Sequence, residues 1–221
     1  MAGRGVPPPE FLEALINCAK CPRLVAYRES VPPLPRYAGQ RYWRRPVQPW
    51  GDPEARLMVV GLAPAAHGGN RTGRMFTGDS SAQFLFKALH ALGLASEPYS
   101  VSADDGVRLR CVYITSAVKC APPDNKPTAE EAANCLPWLV EEIRLVRPRA
   151  VVALGSLAWR SVFRALGRPA PPFAHGARAE VGGVAVFASY HPSPRNTNPG
   201  RLTLEGLISV LREAAEAAGC G

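Results

Sequence analysis

Leu57-Met58-Val59-Val60-Gly61 runs directly into Leu62-Ala63-Pro64-Ala65-Ala66-His67-Gly68-Gly69, and this junction decides the fold. Four apolar residues without alternation read as a strand buried on both faces, the kind found inside parallel sheets. The glycine-rich loop that follows leads through Gly78-Asp79-Ser80-Ser81 into Phe84, Leu85, Ala88, Leu89 and Leu92, spaced as a helix that stops at Gly93. The same strand, loop and helix order recurs. Val112-Tyr113-Ile114-Thr115 precedes a helix opening at Thr128, whose spacing to Glu131 is that of a capping box. Leu139, Val140, Ile143 and Val146 mark its apolar face, and Pro137 inside it predicts a kink or a delayed start. Ala150-Val151-Val152-Ala153-Leu154 leads through Gly155-Ser156 into a helix closed by Gly167. Val184-Ala185-Val186-Phe187-Ala188 ends in Ser189-Tyr190-His191-Pro192, and a last helix carries Leu204, Leu207, Ile208 and Leu211.

This alternation predicts an α/β fold: a single-domain three-layer αβα sandwich over residues 1–221 with a central four-stranded parallel sheet. An N-terminal helix and an irregular segment, residues 1–56, pack on it. In such sheets ligands bind beyond the carboxyl ends of the strands. The loops there, 61–79, 116–127, 155–156 and 189–200, should therefore carry the function.

Among the 221 residues 47% are hydrophobic, too many for a disordered chain, and 26 Lys and Arg against 18 Asp and Glu leave a charge of +8. That surplus favours an acidic partner, nucleic acid being the commonest. No apolar run approaches the roughly 18 residues a membrane span needs. Met1-Ala2-Gly3-Arg4-Gly5-Val6-Pro7 contains no secretion signal. A cytoplasmic location without membrane contact is the expectation.

Of the six cysteines, Cys18 and Cys21 form a C-x2-C pair beyond a short helix carrying Phe11, Leu12, Leu15 and Ile16, and 14 residues separate Cys120 from Cys135. Four thiolates could enclose zinc or a 4Fe–4S cluster, and the spacing leaves that choice open. Cys111 and Cys220 read as inert buried residues, and disulfides are disfavoured outside a thermophile cytosol.

The loop 61–79 has neither a G-K-[ST] ending nor a G-x-G-x-x-G, so no nucleotide cofactor is expected. Phe76, off any periodic face, reads either as a stacking platform for a planar base or as a plug of the core. His191 ends a strand where it faces the site, and Pro192 to Pro199 form a stiff loop suited to a DNA groove. Arg36, Arg41, Arg44 and Arg45, interleaved with Tyr37, Tyr42, Trp43 and Trp50, read either as a second DNA-contacting stretch or as a segment packed over the sheet.

Taken together, Gly61-Leu62-Ala63-Pro64, Asn70-Arg71-Thr72-Gly73-Arg74 with Phe76-Thr77-Gly78-Asp79, Ala117-Val118-Lys119-Cys120-Ala121-Pro122-Pro123 with Asn125-Lys126-Pro127-Thr128, and Ser189-Tyr190-His191 with Asn196-Thr197 resemble the uracil-DNA glycosylase superfamily. The nearest resemblance is to its family 5, the B type of thermophiles and mycobacteria, over nearly the whole chain. It implies a monofunctional hydrolase that removes uracil, and other deaminated bases such as hypoxanthine, from DNA and leaves an abasic site. It implies a monomeric prokaryotic protein associated with the nucleoid through DNA. It further implies that Cys18, Cys21, Cys120 and Cys135 hold a structural 4Fe–4S cluster. Asn125, His191 and Asp79 would be catalytic; Gly61, Leu62, Ala63, Pro64, Ala65, Phe76 and Ser116 would bind the base. Arg71, Arg74, Ser193, Arg195 and Asn196 would contact DNA.

Many relatives in that superfamily place a water-orienting carboxylate or amide just after the first glycine, where this chain has Leu62 and Ala63. Asn125 matches the asparagine that family 5 uses instead. Asp79 is either electrostatic or a helix cap. Ser116 stands where a related family reads uracil with asparagine, which implies relaxed specificity. A non-catalytic damaged-DNA-binding iron–sulfur protein and an iron–sulfur redox protein are the alternative functional readings.

Overall fold

The computed structural model describes residues 7–221; most of the N-terminal stretch searched for a secretion signal, Met1 to Pro7, lies outside the described residues. Eight helices and six strands occur in the order α1 (Pro9–Ile16), α2 (Pro22–Ser30), β1 (Trp50–Gly51), β2 (Leu57–Gly61), α3 (Gly69–Thr72), α4 (Ser80–Ala91), β3 (Val112–Ser116), α5 (Ala129–Val146), β4 (Ala150–Leu154), α6 (Ser156–Ala165), β5 (Arg178–Val181), β6 (Val184–Ser189), α7 (Pro194–Thr197) and α8 (Leu204–Ala218), with short 3-10 turns between.

The sheet is six-stranded and mixed, in the order β1-β3-β2-β4-β6-β5. Its centre, β3-β2-β4-β6, is the parallel foursome expected from the apolar runs. The four-stranded, all-parallel expectation is corrected at both edges, where β1 pairs antiparallel with β3 and β5 antiparallel with β6. Physical causes are plain. β5 and β6 are joined by Gly182-Gly183, both at positive φ, which turns the chain straight back. β5 is also a half-exposed edge with no apolar run to announce it.

β2, β3 and β4 are buried along their whole length. One face packs against α4 and α8 through Leu85, Leu89, Leu207 and Leu211. The other packs against α5 and α6 through Leu139, Trp159, Val162 and Phe163. The capping box is present: Thr128 accepts from the Glu131 N–H, and Glu131 reaches back to the Thr128 N–H. α5 runs uninterrupted through Pro137, so the proline does not delay its start. Among the described residues no helix is long and apolar enough to cross a membrane.

At the amino ends of the strands, Cys111 and Cys220 form a disulfide that closes a sequence separation of 109 residues. This corrects their reading as inert thiols. Cys111 precedes β3 and Cys220 follows α8, so the bridge ties the C-terminus to the sheet. No local sequence pattern brings the two together.

Candidate active site

A cavity of about 650 Å3 opens at the carboxyl edge of the parallel strands. All four loops expected to carry the site contribute to it: residues 62–65, 124–126, 155–157, 190–191 and 193–196 line it among others. Its size is that of a small-molecule binding pocket.

The floor is set by Phe76 and His191, whose rings stack with centroids 5.9 Å apart and planes inclined by 28°. Phe76 has a φ of 49°, which a bulky residue adopts only where the surroundings enforce it. Gly61 makes room for it: a Cβ there would lie 2.7 Å from the Phe76 ring. Gly61 therefore lies directly behind the Phe76 ring, and Leu62, Ala63, Pro64 and Ala65 form the wall. Among the described residues, the N–H groups of Ala63 and Ala65 have no protein acceptor, so both remain available to a ligand. Burial depresses the His191 pKa to about 4, so the imidazole is neutral at ordinary pH and offers one N–H. Asn196 Nδ2 donates to the His191 carbonyl at 2.8 Å and fixes the strand end.

Asn125 stands exposed on the opposite rim. It and Asp124 both have a φ of 55°, a left-handed pair that Asp and Asn tolerate better than most residues. Asp79 lines the cavity and also caps α4, its Oδ1 accepting from the Ala82 N–H at 2.9 Å. Burial raises its pKa, against the opposing pull of backbone donors and Arg71. Both roles read for Asp79 are thus compatible with its position.

Of the residues assigned to the site, Gly61 lies behind the Phe76 ring, and Ser116, Arg74 and Arg71 do not line the cavity. Ser116 is buried and donates to the Val118 carbonyl at 2.9 Å, so its hydroxyl is occupied and does not face the cavity. Arg74 turns inward, forks onto Asp105 at 2.7 Å and lies 4.2 Å above the Trp50 ring. Arg71 is half-buried, donating to the His67 and Gly78 carbonyls and stacking 4.0 Å over Tyr37. Ser193, Arg195 and Asn196 remain on the cavity rim. Phe173 and Tyr190, with His175 stacked on Tyr190, complete a wall that the sequence reading missed. Phe173 sits outside every strand-to-helix loop, so only the folded chain brings it in. The Arg36–Arg45 stretch packs on the loop 67–79, where Trp43 and Arg44 N–H groups bond the Arg71 and Asn70 carbonyls.

Cys18, Cys21, Cys120 and Cys135 line a separate small cavity between the segment after α1, α2 and α5. Hydrogen-bond donors point at sulfur there: Arg28 Nη1 lies 3.0 Å from Cys120 Sγ and Asn134 Nδ2 3.5 Å from Cys21 Sγ. Among the described residues no three ligand side chains form the tight group that a single ion needs. Burial pushes the Cys135 thiol up to about 12, so a metal centre held there would have to displace protons.

The fold and this cavity define the class of protein. The chain matches the Uracil DNA glycosylase superfamily over residues 48–215 and belongs to it. Within that class it is 67% identical to the type-5 uracil-DNA glycosylase of Pyrobaculum aerophilum over 211 residues, 96% of this chain and 93% of the relative. It is 51% identical to the type-5 enzyme of Mycobacterium bovis, over 94% of this chain and 81% of the relative. The type-5 enzyme of Thermus thermophilus is 50% identical, over 95% and 97%.

Proposed function

We propose that this chain is a DNA repair glycosylase that hydrolyses the N-glycosidic bond of uracil in DNA and leaves an abasic site. The observation that carries the reading is the carboxyl-edge cavity, with a neutral histidine and a stacking phenylalanine on its floor. The family and its type-5 relatives support it.

Target nucleotides must leave the duplex to enter, at a cost of a few kcal/mol, lowest for mismatched bases. As the bond between the sugar carbon and the base nitrogen breaks, the electron pair goes to the base. Positive charge develops on the sugar and negative charge on the uracil oxygens. Neutral His191 donates to that growing charge, with the Ala63 and Ala65 N–H groups as further donors. Phe76 stacks on the ring. Asn125 orients the water whose oxygen bonds to the sugar carbon, and the proton that water gives up ends on the departing base anion or in solvent. Asp79 adds negative charge beside the developing cation while holding α4.

Ser193, Arg195 and Asn196 meet the DNA at the rim. The wall Leu62–Ala65 has no side-chain hydrogen-bonding group to read a pyrimidine, and Ser116 is withdrawn. Deaminated purines such as hypoxanthine are therefore candidate substrates as well. Cys18, Cys21, Cys120 and Cys135 would hold a 4Fe–4S cluster that pins α1 and α2 to α5; when bound, it supplies structural cross-linking.

A labelled duplex with one uracil tests the reading. The wild-type protein is expected to release free uracil and leave an alkali-labile strand, with loss of release in His191→Ala and slowing in Asn125→Ala. Tight binding without released base would identify a damage binder instead, and full activity of both variants would refute the assigned chemistry.

A further inference from the structure

Arg28 is a buried cation without an acid. It sits in the last turn of α2 with 5% of its surface exposed. The ion pairs of the described residues are Arg23–Glu131, Arg74–Asp105, Lys119–Glu142 and Arg144–Glu141, and none includes it. Lys119, the neighbouring buried cation, is matched by Glu142 at 2.8 Å and bonded to Thr115 at 2.6 Å, so it needs no other anion. Arg28 meets sulfur instead. Its Nη1 lies 3.0 Å from Cys120 Sγ and 3.3 Å from the Cys18 carbonyl, and its Nε is buried with no partner. Isolating a guanidinium from water costs several kcal/mol unless an anion lies beside it. Metal-bound thiolates are such an anion, and hydrogen bonds to their sulfurs tune the centre.

The backbone of the same residue faces the other way. Its carbonyl accepts from Asn70 Nδ2 at 3.1 Å, and Asn70 is itself 1% exposed. Asn70 lies in α3, its N–H bonds the Ala65 carbonyl at 3.1 Å, and both Ala65 and Gly69 line the base cavity. One residue thus touches the cysteine pocket and, through a single side chain, the wall of the active site.

We propose that Arg28 is a positioning residue that couples the two cavities: its guanidinium balances the charge of the cysteine-held cluster, and its carbonyl anchors Asn70 and the base-binding loop. The inference rests on the cluster proposed above. When the cluster is lost, Arg28 is left without a counter-charge, α2 moves toward solvent, and Asn70 is released.

The test compares anaerobically purified wild type, Arg28→Met and Arg28→Lys. It reads iron and sulfide content, cluster midpoint potential, chelator-driven bleaching, and hydrogen exchange of residues 65–73. Removing a positive charge beside the cluster disfavours its reduction, so Arg28→Met is expected to have a more negative potential. It should also bleach about tenfold faster and exchange faster in 65–73. Arg28→Lys, which keeps the charge but not the fork, should shift less in the same direction, and it stands in if the methionine variant does not accumulate. Wild-type potential, bleaching and exchange in these variants would overturn the coupling. An iron-free wild type that still releases uracil would overturn the cluster and the coupling together while leaving the glycosylase reading intact.

Discussion

The two ends of the sheet are built to opposite specifications. At the amino end the chain is laced shut: Arg56 and Leu57 N–H groups bond the Cys111 carbonyl, Arg149 and Ala150 bond Arg56, and Ala185 bonds Arg149. The Cys111–Cys220 disulfide closes that end covalently. At the carboxyl end the same strands release their chains into loops that surround a cavity of about 650 Å3. Phe76, Asp124 and Asn125 stand there at positive φ, as do Cys111 and Arg147 at the amino end. The difference between the two ends lies in covalent and backbone closure on one side and an open cavity on the other.

Breaking the bridge should give the largest effect on the closed end. Cys220→Ser should lose about 4 kcal/mol of stability, from the loop that the bridge closes. Thermal melts would show it, while uracil release at a temperature where both proteins are folded stays unchanged. At the open end the order reverses: His191→Ala should lower single-turnover uracil release by about 10²–10³, a larger change than any in its melting temperature.

The pH dependence sharpens the same contrast. Burial holds His191 near about 4, below its unfolded value of about 6.5. Between those values the unfolded chain binds the extra proton, so stability rises with pH through that window. The contribution, of order 3 kcal/mol, is complete above about pH 6.5 and lost as pH falls toward about 4. Denaturant melts of wild type and His191→Phe across that range should differ in slope, and equal slopes would deny the buried neutral imidazole. The smallest effect is at the rim. Arg195→Ala should reduce the salt slope of DNA binding by about one, whereas Arg74→Met should destabilise the fold and leave that slope alone.

How much the sequence discloses depends on how local the cause is. Continuous apolar runs announce β2, β3, β4 and β6 because burial on both faces requires them. β1 has two residues and β5 is half-exposed, so neither has a pattern to read. Loop composition locates the cavity, since glycine, proline and asparagine are needed where strands end. It does not reveal which way an arginine in such a loop will turn. Arg74 is drawn inward by Asp105, 31 residues away, and by the Trp50 ring. Ser116 fails for a related reason, because a carbonyl two residues on takes its hydroxyl. Phe173, His175 and the Cys111–Cys220 pairing depend on contacts between distant segments, which spacing does not encode.

The claim at the centre is that the carboxyl-edge cavity accepts negative charge from the departing base. Measuring release of uracil and of the more acidic 5-fluorouracil by wild type and His191→Ala tests it most directly. If His191 stabilises that charge, its removal slows uracil more than 5-fluorouracil, and the variant discriminates between the two more steeply than wild type. An equal loss for both bases, or no loss for either, would contradict it.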